Sequence, residues 1–162
     1  DIGLIETHSH QQNLQSEVCC EDELQVICSP TFPLAKAKEL SAVQLLEHPF
    51  VTRESGSGTR EVTDEFLQEA GVAPDSMNLV MELGSPEALK AVVETGLGFA
   101  IVSKASVAKE LELGTLVTVP LKPRLNRLLA MVYPKEKFRS RLVNTFVEFA
   151  AGKLKVAAAK AI

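Results

Sequence analysis

The densest group of charge-recognising residues is the stretch Thr52-Arg-Glu-Ser-Gly-Ser-Gly-Thr-Arg60. It follows an apolar run that reads as a strand ending near Arg53. It precedes Thr59 to Ala70, where Val62, Phe66, Leu67 and Ala70 recur at helical spacing and Gly71 stands as a stop. The order is therefore strand, polar glycine loop, helix. Such a loop lets backbone N–H groups converge at a helix N-terminus, where partial positive charge collects. Ser57 and Thr59 add hydroxyls, and Arg53 or Arg60 can pair with a carboxylate or oxyanion. A small anion is the guest this chemistry predicts; a capped turn that binds only water uses the same residues. The Gly-Lys-Ser/Thr ending of a Walker loop and the dinucleotide glycine fingerprint are both missing from this stretch.

Gly84-Ser85-Pro86 is a second strand-to-helix turn, able to aim backbone donors at a ligand or simply to cap the helix from Glu87 to Thr95. Gly96 and Gly98 suit close backbone approach, either to a ligand or, more commonly, in a packed helix-to-strand turn. His8 and His10 share a polar stretch without a carboxylate or Cys at helpful local spacing, and His48 precedes Pro49, so they read as solvated loop residues. Cys19 and Cys20 follow Val18 in a strand-like run with Cys28 beyond, and read as small core residues. No catalytic residue, metal ligand or cofactor site is assigned, and an enzyme is not the expected reading.

The elements that must position these groups alternate. Ile2 to Ile5, Glu17 to Ser29, Pro49 to Arg53, Asn78 to Leu83, Phe99 to Ser103, Thr115 to Leu121 and Arg127 to Tyr133 read as strands, with helices between several of them. This is an α/β pattern. A last helix, about Ser140 to Ala151, is too apolar for a free surface helix and should dock on a sheet, while residues 152–162 form a Lys- and Ala-rich tail without an assigned role.

With 162 residues and 46% hydrophobic content, the chain can bury a core as one domain or as two small lobes. Seventeen Lys and Arg against 21 Asp and Glu give a net charge of −4, and the bases are scattered, so no phosphate-backbone footprint is expected on this chain. No apolar run approaches the roughly 18 residues of a membrane span, no secretory leader is recognisable, and three Cys without framework spacing fit a reducing cytoplasm. The opening without Met, directly into a strand, suggests a processed or excised chain.

Several segments in order resemble the effector-binding domain of LysR-type transcription regulators. They are Asp1-Ile-Gly-Leu-Ile5, Leu24-Gln-Val-Ile-Cys-Ser-Pro30 with Phe32-Pro-Leu-Ala35, and Leu45-Leu-Glu-His-Pro-Phe50. They continue with Glu69-Ala-Gly71, Leu89 to Ile101 and Phe146-Val-Glu-Phe149. Phe32 stands where the family's turn usually has histidine. The resemblance covers residues 1 to 151 and implies a two-lobed fold like type 2 periplasmic binding proteins, with an effector between the lobes and two crossover strands as hinge. On that mapping, residues 1–24 with 123–162 form one incomplete lobe and 25–122 the other. It further implies effector contacts from Glu6, Thr7, Thr52, Arg53, Ser55, Ser57, Thr59, Arg60 and Ser85, with Glu6 acidic where some relatives carry a hydroxyl. The implied partners are a small anionic metabolite or inorganic anion and a second copy, the Thr59 to Ala70 helix forming part of a homodimer contact within a full-length tetramer. DNA would be met only through a winged helix-turn-helix outside this chain. The alternatives are a solute-binding component of a transporter, an enzyme such as a dehydratase on the same scaffold, and a purely structural dimerisation module.

Overall fold

A computed structural model of the chain describes residues 2–6, 13–135 and 141–160. It is an α/β structure that divides into two compact units, one of residues 1–22 and 126–162, the other of Glu23–Leu125. The boundaries fall inside two long strands, β2 (Leu14–Cys28) and β7 (Leu125–Pro134).

In the first unit, β1 (Gly3–Ile5) pairs antiparallel with β7, Leu4 lying opposite Met131. Helix α5 (Arg141–Lys160) covers this sheet. Val143, Val147 and Ala150 recur at helical spacing and pack with Ile2, Cys19, Cys20, Met131 and Tyr133. The expected docking of the last helix is thus found, but along one stripe only: Leu142, Phe146 and Phe149 are 80%, 49% and 62% exposed. The helix continues through the tail to Lys160. Cys19 is buried while its neighbour Val18 is exposed, as strand alternation requires.

In the second unit, the far half of β2 pairs antiparallel with β5 (Ala100–Ser103) and β6 (Val117–Val119). Successive residues of these strands face opposite sides. Val26, Cys28, Ile101 and Val119 enter one core with Phe50, Phe66 and Leu67, and Ile27, Ala100 and Val102 enter another with Leu89 and Val93. One core is closed by α2 (Gly58–Glu69), the other by α3 (Pro86–Glu94). A sheet buried on both faces explains the near-continuous apolar run Leu24 to Cys28, which shows no hydrophobic-polar alternation apart from buried Gln25.

The pair of strands that carries the polar loop is parallel: β3 (Phe50–Arg53) runs beside β4 (Leu79–Leu83), with Thr52 opposite Glu82 and Arg53 opposite Leu83. Phe50 bridges to Phe99 on its other side, and their rings stack at 5.1 Å. Gly98 makes this approach possible: a Cβ there would lie 2.5 Å from the Pro49 carbonyl oxygen. Of the two readings of that glycine turn, packing is the one observed.

Two short helices escape the sequence pattern. They are α1 (Ala42–Leu45), with a Ser41–Gln44 capping box, and α4 (Ala108–Leu113). Neither is long enough to establish a helical period. The segment from Thr115 to Leu121 forms only the three-residue β6.

Candidate functional site

Because β3 and β4 are parallel, their carboxyl ends emerge at one edge of the second unit, and both strands are followed there by helix N-termini. The Glu54 amide donates to the Leu83 carbonyl at 3.3 Å, tying the two turns together. In open α/β sheets the edge outside the strand carboxyl ends is where ligands are held. Thr52, Arg53, Ser55, Ser57, Thr59 and Arg60 gather at the first turn, and Ser85 begins the second.

The first turn closes by the Ser57 amide donating to the Glu54 carbonyl at 3.2 Å. Gly56 makes the reversal with φ +87°, a left-handed backbone that side chains disfavour. Ser57 is the N-cap of α2, and its carbonyl accepts from the Glu61 amide at 3.0 Å. Its hydroxyl makes no capping bond although the residue is only 8% exposed. An N-cap serine ordinarily satisfies a first-turn amide; here the first-turn amides of α2 receive no bond from it. Thr52 is also buried, at the end of β3, whereas Ser55 is exposed.

Both arginines pair with carboxylates of the protein itself. The Arg53 fork donates to its neighbour Glu54 through Nε at 2.8 Å and Nη2 at 2.9 Å. These bonds hold the Glu54 carboxyl below its ordinary range. Arg60 Nε donates to Asp64 one helical turn on, at 2.8 and 3.0 Å. Its Nη1 donates to the Arg53 carbonyl at 3.3 Å and lies 3.7 Å from Glu82. Two guanidinium groups thus face Glu54, Asp64 and Glu82, and the loop is not a bare cationic cradle. Thr59 supports the helix through its carbonyl, which accepts from the buried Thr63 hydroxyl at 2.8 Å.

Ser85 caps α3, accepting from the Ala88 amide at 3.3 Å, with Pro86 opening the helix and Glu87 in its first turn. Its capping role is therefore occupied, in contrast to Ser57. Glu6 belongs to the first unit, where its carboxylate accepts from Arg127 Nη1. Thr7, His8 and His10 lie outside the described residues.

Arg127 is the functional candidate that sequence reasoning missed. It is buried and donates from Nε to Asp22 at 2.8 Å as well as to Glu6. The available signal was a lone arginine in the apolar run Leu125 to Tyr133.

Two of the thiols are held towards their protonated form. Burial pushes Cys28 up to about 11, and burial, followed by the neighbouring Asp22 carboxylate, raises Cys20. Among the described residues no helix is long and apolar enough to cross a membrane.

Comparison with known proteins agrees with this architecture. The profile of the LysR substrate binding domain matches residues 1–155. The HTH-type transcriptional regulator YeiE of Escherichia coli K12 is 39% identical over 151 residues, which are 92% of this chain and 50% of that protein. Among solved structures, the Synechocystis PCC6803 CcmR regulatory domain, in complex with 2-PG, superimposes with a TM-score of 0.85 at 23% identity, covering 96% of this chain and 74% of that one. The effector binding domain of QuiR, in complex with shikimate, gives 0.82 at 18% identity, covering 96% and 72%. The chain belongs to the LysR substrate-binding-domain family and is the effector-binding part of such a regulator. It spans about half the length of the curated relative YeiE.

Proposed function

We propose that this domain senses a small anion at the edge where β3 and β4 end, and passes the signal to a DNA-binding part carried elsewhere in the full-length regulator. The carrying observation is Ser57: a buried N-cap serine whose hydroxyl leaves the entrance of a 12-residue helix uncapped. Thr52, Ser55, Thr59 and Ser85 supply further hydroxyls around it. Because Arg53 and Arg60 are already neutralised, they orient the loop, and direct contact falls mainly to hydroxyls and backbone amides. That donor set suits a compact oxyanion or a carboxylate.

In this reading the two units are the two lobes of the sensor, near residues 1–24 with 123–162 and 25–122. Ligand binding biases how copies of the domain pack, and repacking changes the spacing of the DNA-binding parts. The working unit is a homodimer using α2, within a tetrameric full-length protein in the cytoplasm. The domain performs no catalysis and needs no cofactor or metal.

Thermal unfolding with sulfate, thiosulfate, acetylserine and simple carboxylates tests the reading. A ligand at a hundredfold excess over its dissociation constant adds about 2.7 kcal/mol to stability. The expected result is a shift with one of these anions that Ser57→Ala removes. No shift with any of them defeats the proposal.

A further inference from the structure

We propose that Arg127 is a second anion-recognition residue of the domain and that Glu6 is its built-in surrogate ligand, a carboxylate that an incoming oxyanion displaces. The inference rests on the reading that the domain senses an anion, and it adds a residue and a competitor within the first unit.

The geometry is asymmetric. Arg127 has a side chain 7% exposed, and its Nε donates to Asp22, itself 9% exposed, at 2.8 Å. Its Nη1 donates to Glu6, whose side chain is 42% exposed. Asp22 is thus the fixed counter-ion, since breaking a buried pair strands a charge. Glu6 is the exchangeable one, because a partly exposed ion pair contributes little. The backbone agrees: among the described residues the β1–β7 ladder ends at Ile5 opposite Ala130, and Glu6 lies beyond it.

Among the described residues Arg127 Nε meets Asp22 and Nη1 meets Glu6, so an oxyanion that takes the Nη1 position displaces Glu6. Replacing one carboxylate by another, or by sulfate or phosphate, conserves the charge-assisted bond, and the planar fork of arginine matches all of these acceptors. The acidic residue that would oppose an anion at the end of β1 becomes, on this geometry, the group that holds its place. The ligand class is an oxyanion, carboxylate or tetrahedral, and no cation is required.

The test is a nuclear magnetic resonance titration of the chain with sodium sulfate and, separately, sodium acetate, against sodium chloride at constant ionic strength. It follows the Arg127 Nε–H and the Glu6 amide. The expected result is a saturable shift at both groups. Glu6→Gln, which removes the competitor and its charge, should lower the half-saturating concentration about fivefold, the factor equivalent to ~1 kcal/mol for a partly exposed pair. The double variant Asp22→Asn/Arg127→Gln removes the cation without stranding its buried partner, and should abolish the Glu6 response while the remaining spectrum stays folded. An Arg127 signal unmoved by either anion, or half-saturation equal in wild type and Glu6→Gln, overturns the proposal. The amides of Ser57 to Arg60 report the loop reading separately: their response without one at Arg127 sinks only this inference, and the reverse sinks only the loop assignment.

Discussion

The backbone amide of Glu54 donates to the carbonyl of Leu83 at 3.3 Å, so the turn after β3 and the turn after β4 are fastened at one edge. Everything assigned to the second unit's site depends on that link. It holds the entrance of α2 beside the entrance of α3, one with an unused N-cap hydroxyl and the other with a used one.

The contrast between these two serines predicts opposite costs. Ser85→Ala removes the bond to the Ala88 amide and should destabilise the domain by about 1 kcal/mol. Ser57→Ala removes no capping bond and should change stability by less than ~0.5 kcal/mol. Urea unfolding of the two variants beside wild type checks this; equal losses would contradict the capping assignment.

Gly98 should tolerate no side chain. A Cβ placed 2.5 Å from the Pro49 oxygen forces the Phe50–Phe99 contact apart, so Gly98→Ala should cost ~1–3 kcal/mol by overpacking. Gly84, whose added Cβ meets nothing within 4 Å, is the control, and Gly84→Ala should have a much smaller effect on the thermal midpoint.

Acid should weaken the α3–α4 contact. Lys90 Nζ lies 2.8 Å from Glu110, with side chains 15% and 13% exposed, and the Lys90 hydrogen bond lowers the Glu110 carboxyl from its ordinary value of 4.5. A depressed folded value means stability fully present above the unfolded value and lost as pH falls through the folded one. Stability measured from pH 6 down to 3 should therefore drop more steeply in wild type than in Glu110→Gln. Lys90→Met should cost more than the double variant Lys90→Met/Glu110→Leu, because Glu110 Oε2 already has no partner among the described residues.

Thiol chemistry should be slow in the folded state. With Cys28 near 11, little of its thiolate exists at pH 8, and it is also inaccessible, while the Cys20 thiol is raised and only half-buried. Iodoacetamide at pH 8 should modify Cys20 first and Cys28 only after urea is added. Rapid native labelling of Cys28 would refute the burial assigned to it.

The two faces of α5 should respond differently. Val147→Ala removes two methyl groups from the first unit's core, at ~0.8 kcal/mol per buried carbon. Leu142→Ala acts at a residue 80% exposed and should lie within ~0.5 kcal/mol of wild type.

Much of this protein was legible before folding was considered. The spacing of Val62, Phe66 and Leu67 announced α2, and Ser85-Pro86-Glu87 announced the start of α3, because caps and apolar stripes are properties of neighbouring residues. The polar loop was legible for the same reason. The lengths of α1 and α4 put them below what periodicity resolves, and nothing local in the last helix separated Val147, which is buried, from Phe146 and Phe149, which are exposed.

By itself the sequence determined the α/β class, the loop between β3 and α2, and the family resemblance, all of which rest on order along the chain. Tertiary structure alone decided the charge state of the candidate site. Arg60 looked available until Glu82, from a different strand, was brought within 3.7 Å of it. Arg127 looked like any strand residue until Asp22, 105 positions away, met it in the interior. Coulomb interactions depend on distance in space and on burial, and neither is written in the spacing of residues along a chain.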